Sequence, residues 1–194
     1  MKRIFDICVS LISLIALFPL FFIIIFLIRL TSKGPAFFKQ ERMGLNGKPF
    51  TMVKFRTMRI HDDSKYVQTV ENDKRITFVG KYLRKSSIDE LPQLFNILIG
   101  DMSIVGPRPV ALPLNEKYNA AFKSFYLRHE VKPGLTGLAQ IKGFRGGDDL
   151  DHIEKRLEFD LKYIKKRTLF LDIKIILLTP INLLTNKDVF WINY

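Results

Sequence analysis

Asp89 and Glu90 stand side by side just ahead of an apolar run, with Arg84 five residues before the pair and Arg108 eighteen after it. These side chains suit a phosphate ester. A carboxylate can attack phosphorus or help hold a magnesium ion, and a guanidinium can grip two phosphoryl oxygens at once. The pattern points to phosphoryl transfer. A purely structural reading stands beside it. Ser87-x-x-Glu90 fits a capping box, and Asp89 could itself be an N-cap with Pro92 in the first turn. Either frame explains an acidic pair as the partner of free N–H groups at a helix start. Arg108, set between Pro107 and Pro109, could equally anchor a loop.

The elements that must position these residues read as a mixed α+β fold. Asn46-Gly47 is a hairpin-turn signal between two loosely alternating runs, FFKQERMG and FTMVKF. Residues 60–75 are polar without a clear period and read as a surface loop. From Phe78 to Leu98 the pattern is helical, interrupted at Ser86-Ser87. Residues 114–130 and 150–166 read as further helices, the second with Ile153, Leu157, Leu161 and Ile164 on one face. Between them, Gly143-Phe144-Arg145-Gly146-Gly147 lacks the spacing of a nucleotide-binding loop. It serves equally as a flexible loop near a substrate or as a plain linker. Lys54 and Arg56, on the second strand, read as solvated strand charges, with phosphate contact the alternative.

Composition narrows the partners. In 194 residues with 26% charged side chains, the net charge is +12, which calls for an anionic partner: nucleic acid, a lipid surface or a phosphorylated substrate. No zinc-finger or RNA-recognition signature is present, so nucleic acid ranks last. The single cysteine, Cys8, allows no internal disulfide, and His61, His129 and His152 lack metal-ligand spacing.

Much of the 47% hydrophobic content sits in one segment, the 22 uncharged residues from Ile7 to Ile28. It is too long, and lacks the cleavage site, for a signal peptide. Pro19 falls in its middle, removing the hydrogen bond to Ile15. Lys2 and Arg3 precede the run; Arg29, Lys33 and Lys39 follow it. Positive charge on both flanks favours a helix that enters one leaflet, breaks near Pro19 and returns on the same side. A kinked spanning helix is the alternative. Farther on, Lys162, Lys165, Lys166 and Arg167 precede an apolar stretch, Ile173 to Leu178, ended by Pro180; Phe190, Trp191 and Tyr194 follow. This mixture suits interfacial amphipathic helices at the lipid surface as well as it suits ordinary core.

Nearly the whole chain resembles the bacterial sugar transferases, the small monotopic phosphoglycosyl transferases. The resemblance is carried, in order, by Lys2-Arg3 and Phe5-Asp6, by SKGP from Ser32 and FFKQER from Phe37, and by KFRTM from Lys54. DELPQ from Asp89, GDMS from Gly100, Pro107-Arg108-Pro109 and KPGLTG from Lys132 complete it. The length, with one membrane segment and no further domain, looks like that of the small, single-function members. One departure is Phe18, where the family commonly has a serine before the helix-breaking proline; Ser13 and Ser10 lie one and two turns earlier in the helix.

The resemblance implies a re-entrant membrane helix over residues 1–34 and a mostly helical cytoplasmic catalytic domain over residues 35–194, on the cytoplasmic face of the bacterial inner membrane. It implies a UDP-sugar and a membrane polyprenyl phosphate as substrates, polyprenyl diphosphate sugar and UMP as products, and Mg²⁺ as cofactor. Asp89 would be the nucleophile, Glu90 its partner at the metal or the incoming phosphate, and Arg84 and Arg108 the phosphate-binding residues. A phosphohydrolase using the same residues, or a basic membrane scaffold needing none of them, are the rival functions.

Overall fold

The computed structural model describes residues 1–60, 73–147 and 149–185. Most of the loop expected over 60–75, including His61, lies outside these residues, as do the closing aromatics Phe190, Trp191 and Tyr194.

Helix α1 runs from Lys2 to Thr31 and is continuous across Pro19. It is long and apolar enough to cross a membrane. Its faces differ. Asp6, Ser10, Phe21, Ile24 and Ile28 are buried, whereas Ile4, Ile12, Ile15, Phe18, Phe22 and Phe26 are exposed. Contacts with the rest of the fold occur at both ends. Near the start, Arg3 donates to the carbonyls of Ile97 and Leu98, and Asp6 Oδ1 accepts from Ser103 Oγ and the Ile104 amide, both at 3.1 Å. At the far end, the Arg56 guanidinium donates to the carbonyls of Lys33 and Ser32 at 2.6 and 2.8 Å.

The hairpin forms as its turn signal requires: β1 (Phe37–Met43) pairs antiparallel with β2 (Pro49–Phe55). Asn46 and Gly47 take the positive φ values that Asn-Gly tolerates. Helix α2 (Phe78–Lys85) is capped by Thr77, whose side chain accepts from the Gly80 amide at 2.9 Å. The expected interruption follows. A single 3₁₀ turn spans Ile88–Glu90, and α3 covers Gln93–Ile99. Asn96 docks α3 on the edge of β2, accepting from the Val53 amide at 3.0 Å and donating to the Thr51 carbonyl at 2.7 Å. This contact fixes the 88–90 turn relative to Lys54.

Strand β3 (Ser103–Val105), helix α4 (Leu112–Ala121) and a 3₁₀ stretch (Phe125–Glu130) come next. Strand β4 (Gly134–Thr136) pairs parallel with β3, and α5 (Leu138–Ile141) follows it. Helix α6 (Leu150–Lys166) has the expected span, with Ile153 and Leu157 buried. Helix α7 (Leu169–Thr185) corrects the sequence reading at Pro180, which lies inside the helix and does not end it. On either side of it, Thr179 Oγ1 donates to the Ile175 carbonyl at 2.7 Å and Asn182 to that of Leu178 at 3.0 Å.

Met52, Ile97, Met102, Val105, Tyr163 and Ile175 form the central core, which joins the hairpin, α3, β3, α6 and α7. Helix α7 is apolar outside as well, with Phe170, Leu177 and Ile181 exposed.

Candidate active site

Glu90 is the centre of the site. It is 2% exposed and faces three cations. Lys54 Nζ, from β2, and Arg108 Nη2 each donate to its Oε1 at 2.8 Å. Oε2 accepts from Arg108 Nη1 at 3.2 Å and from Arg145 Nη2 at 2.8 Å. Arg108 thus binds in the forked geometry that a lysine cannot copy. Burial alone would raise the pKa of Glu90, but Arg108, Lys54 and Arg145 outweigh it and hold the carboxyl well below its usual range. At Lys54 burial prevails over its partner. Burial lowers it to about 8 despite the attraction of Glu90.

Asp89 lies in the same turn and is 1% exposed. Its charge helps to stabilise Lys54. Neither capping frame describes the pair. Ser87 adopts a left-handed conformation, φ 57°, and its hydroxyl does not cap the turn. Instead Arg145 Nη1 donates to Ser87 Oγ at 2.7 Å. One guanidinium therefore takes both members of the apparent capping box. Pro92, not Asp89, precedes α3, with no side-chain cap.

The structure brings Glu90, Asp89 and Arg108 together as the sequence suggested. Arg84, in the last turn of α2, donates from Nε to Thr57 Oγ1 at 2.9 Å. Lys54 and Arg56 correct the reading of solvated strand charges. Both are buried, Lys54 at the site and Arg56 against the end of α1. Arg145 was not singled out from sequence. Its signal was the pair Gly143 and Gly147, both at positive φ, which let the backbone turn tightly on either side of Phe144-Arg145-Gly146.

Helix α6 holds both arginines in place from one face. Arg156 donates to the carbonyls of Phe144 at 3.0 Å and Gly147 at 3.1 Å, and also to that of Gly146. These bonds fix the loop that carries Arg145. One turn later, Asp160 accepts from Arg128 Nη2 at 2.6 Å, and the same nitrogen donates to the Arg108 carbonyl at 2.8 Å. Arg42 holds the neighbouring Pro109 carbonyl at 3.2 Å.

Three cations around one carboxylate leave an excess of positive charge beside Asp89, an arrangement suited to a diphosphate. Among the described residues no group of three His, Cys, Asp or Glu side chains could enclose a metal. Both oxygens of Glu90 face cations. Glu90, expected beside Asp89 at the metal, is thus occupied by Lys54, Arg108 and Arg145.

Residues 1–186 match the model of one protein family, described as bacterial sugar transferase. The chain belongs to the bacterial sugar transferase family. Among similar members, a UDP-glucose:undecaprenyl-phosphate glucose-1-phosphate transferase of Klebsiella pneumoniae is 49% identical over 97% of this chain and 41% of its own length. One of the same name from Caulobacter vibrioides is 45% identical over 97% of this chain and 72% of its own. The exopolysaccharide production protein PSS of Rhizobium leguminosarum is 42% identical, the match covering 95% of this chain and 96% of that protein. The chain spans less than half the length of several such sugar transferases.

Proposed function

We propose that this sugar transferase moves a sugar 1-phosphate from a UDP-sugar to a membrane polyprenyl phosphate. UDP-glucose and undecaprenyl phosphate are the substrates named for its relatives. The observation that carries the reading is the buried Asp89 beside a Glu90 locked by Lys54, Arg108 and Arg145.

In the first step an Asp89 oxygen attacks the phosphorus that bears the sugar. The bond from that phosphorus to the bridging oxygen breaks, and UMP leaves with the electron pair. The phosphosugar is then an acyl phosphate on Asp89. In the second step an oxygen of polyprenyl phosphate attacks the same phosphorus, Asp89 departs as carboxylate, and polyprenyl diphosphate sugar forms. Magnesium, when bound by Asp89 and the donor diphosphate, offsets negative charge that would repel the nucleophile. Arg108 and Arg145 do the same from the protein side, and Glu90 keeps their guanidinium groups oriented. Arg84 contributes a further cation from α2.

The anchor follows from α1. A straight helix of its length, 30 residues, would reach about 45 Å at 1.5 Å per residue, enough to carry its ends to opposite sides of a bilayer. Yet Arg3 bonds to α3 and Ser32 to Arg56, just past β2, while α3 is itself bonded to β2 through Asn96. Two ends tied to one unit support a one-sided, re-entrant placement on the cytoplasmic face of the inner membrane. The exposed apolar face of α1 would lie in lipid, bending at Pro19.

The test is UMP release from UDP-glucose and other UDP-sugars by protein in nanodiscs with Mg²⁺. Release that depends on polyprenyl phosphate supports the transferase. Equal sustained release without acceptor would make it a hydrolase, and no release from any donor would contradict both.

A further inference from the structure

The chain turns helically from Ile88 into α3: the amides of Leu91, Leu94 and Phe95 donate to the carbonyls of Ile88, Leu91 and Pro92 at 3.1, 3.0 and 3.0 Å. Residues three and four apart on such a coil are neighbours. Glu90 meets Lys54 at 2.8 Å, and Asn96 bonds the Val53 amide and the Thr51 carbonyl, so this side of the coil faces β2. Gln93 stands midway between Glu90 and Asn96, and it follows Asp89 by four residues. Its side chain is 1% exposed, and its Nε2 is buried with no acceptor among the described residues. A buried amide without an acceptor costs stability, and an apolar side chain of the same shape would cost less. Packing therefore does not account for a glutamine here. A donor held beside the nucleophile does.

We propose that Gln93 is a further catalytic residue, whose Nε2 donates to the Asp89 oxygen that does not carry the phosphosugar. The proposal rests on the transferase reading and deepens it. When one Asp89 oxygen bonds to phosphorus, the other becomes the carbonyl of an acyl phosphate. When the acceptor's oxygen attacks, the bond from phosphorus to Asp89 breaks and its electron pair returns to the carboxylate. Negative charge then spreads over both Asp89 oxygens, and a donor on the former carbonyl takes it up as it develops. Neutrality matters for the first half of the cycle. A cation in this position would hold the carboxylate more strongly and blunt its attack, whereas an amide bonds it without adding charge. Lys54, Arg108 and Arg145 bond Glu90, the neighbour that does not attack.

The experiment follows the full chain in nanodiscs by rapid quench, with Mg²⁺ and UDP-glucose or other UDP-sugars, first without acceptor and then with polyprenyl phosphate. Two rates are read: formation of the phosphosugar adduct on the Asp89 peptide, and its discharge by the acceptor. In Gln93→Met, which replaces the amide with an apolar side chain of similar length, discharge is expected to slow about 100-fold, the cost of one donor to developing charge. Formation should slow far less. The melting temperature should hold or rise, because an amide without an acceptor has been removed. Gln93→Leu gives the same test should the first variant fail to fold. Discharge at the parental rate would overturn the proposal, as would equal slowing of both steps with a lowered melting temperature, the mark of a packing role. Acceptor-dependent UMP release in a parent that never forms the adduct would remove the role of Gln93 and leave the transferase standing. No UMP release from any UDP-sugar would remove the transferase reading, and the proposal with it.

Discussion

Arg145 and Glu90 are 55 positions apart in the chain and meet at 2.8 Å. The same guanidinium reaches Ser87, so the glycine-bounded loop is pinned to the turn that carries both carboxylates. Arg145→Lys keeps the charge but cannot span both partners. We expect kcat to fall about 100-fold, the cost typical of losing one positioned donor to developing charge. Steady-state UMP release checks it. An unchanged kcat would show that the loop is only structural.

Arg156 acts one step further out, through the carbonyls of Phe144, Gly146 and Gly147. Arg156→Lys should lower kcat by up to about 100-fold, since small displacements of a positioning group are costly. Its effect should vanish in an Arg145→Ala background, because both changes remove one interaction. Full additivity in this double-mutant cycle would mean that Arg156 serves stability alone.

Lys54 makes activity depend on alkaline pH. With its pKa lowered by burial to about 8, it is charged below that value and neutral above it. Activity should decline as pH rises through about 8, and Lys54→Arg should move that limb upward. Stability should respond in the opposite sense. Between about 8 in the fold and 10.5 when unfolded, the unfolded chain binds the extra proton, so stability from this group rises with pH. A pH–rate profile and denaturant melts over pH 7–10 separate the two effects.

His129 sets an acid limit. Burial, reinforced by Arg128, lowers it to about 4, and its Nε2 lies 2.8 Å from Asn115 Oδ1. Its folded value lies below the ordinary 6.5, so its contribution is present above pH 6.5 and lost as pH falls towards 4. The melting temperature should drop more between pH 7 and pH 5 in the parent than in His129→Gln. Equal drops would assign the acid sensitivity elsewhere.

The sequence made some of this legible for physical reasons. Asn46-Gly47 forces a turn and the 150–166 periodicity marks α6, both local signals that the fold obeys. The acidic pair and Arg108 were readable because they sit in short, distinctive strings. Arg145 and Lys54 were not, since their roles depend on meetings 55 and 36 positions away from Glu90. A clue existed in β2. Met52 and Lys54 share the inward face, and Arg56 continues their alternation, so cations occupy positions where core residues are expected. Pro180 misled because a proline removes one helical hydrogen bond and can sit inside a helix without ending it.

The central claim is that Asp89 carries the phosphosugar. The most direct measurement is intact-mass and peptide analysis of the nanodisc protein mixed with UDP-glucose and Mg²⁺, without acceptor. The account predicts a hexose phosphate on the peptide containing Asp89, discharged by polyprenyl phosphate and absent from Asp89→Asn. Acceptor-dependent UMP release that persists in Asp89→Asn, with no adduct in the parent, would contradict it.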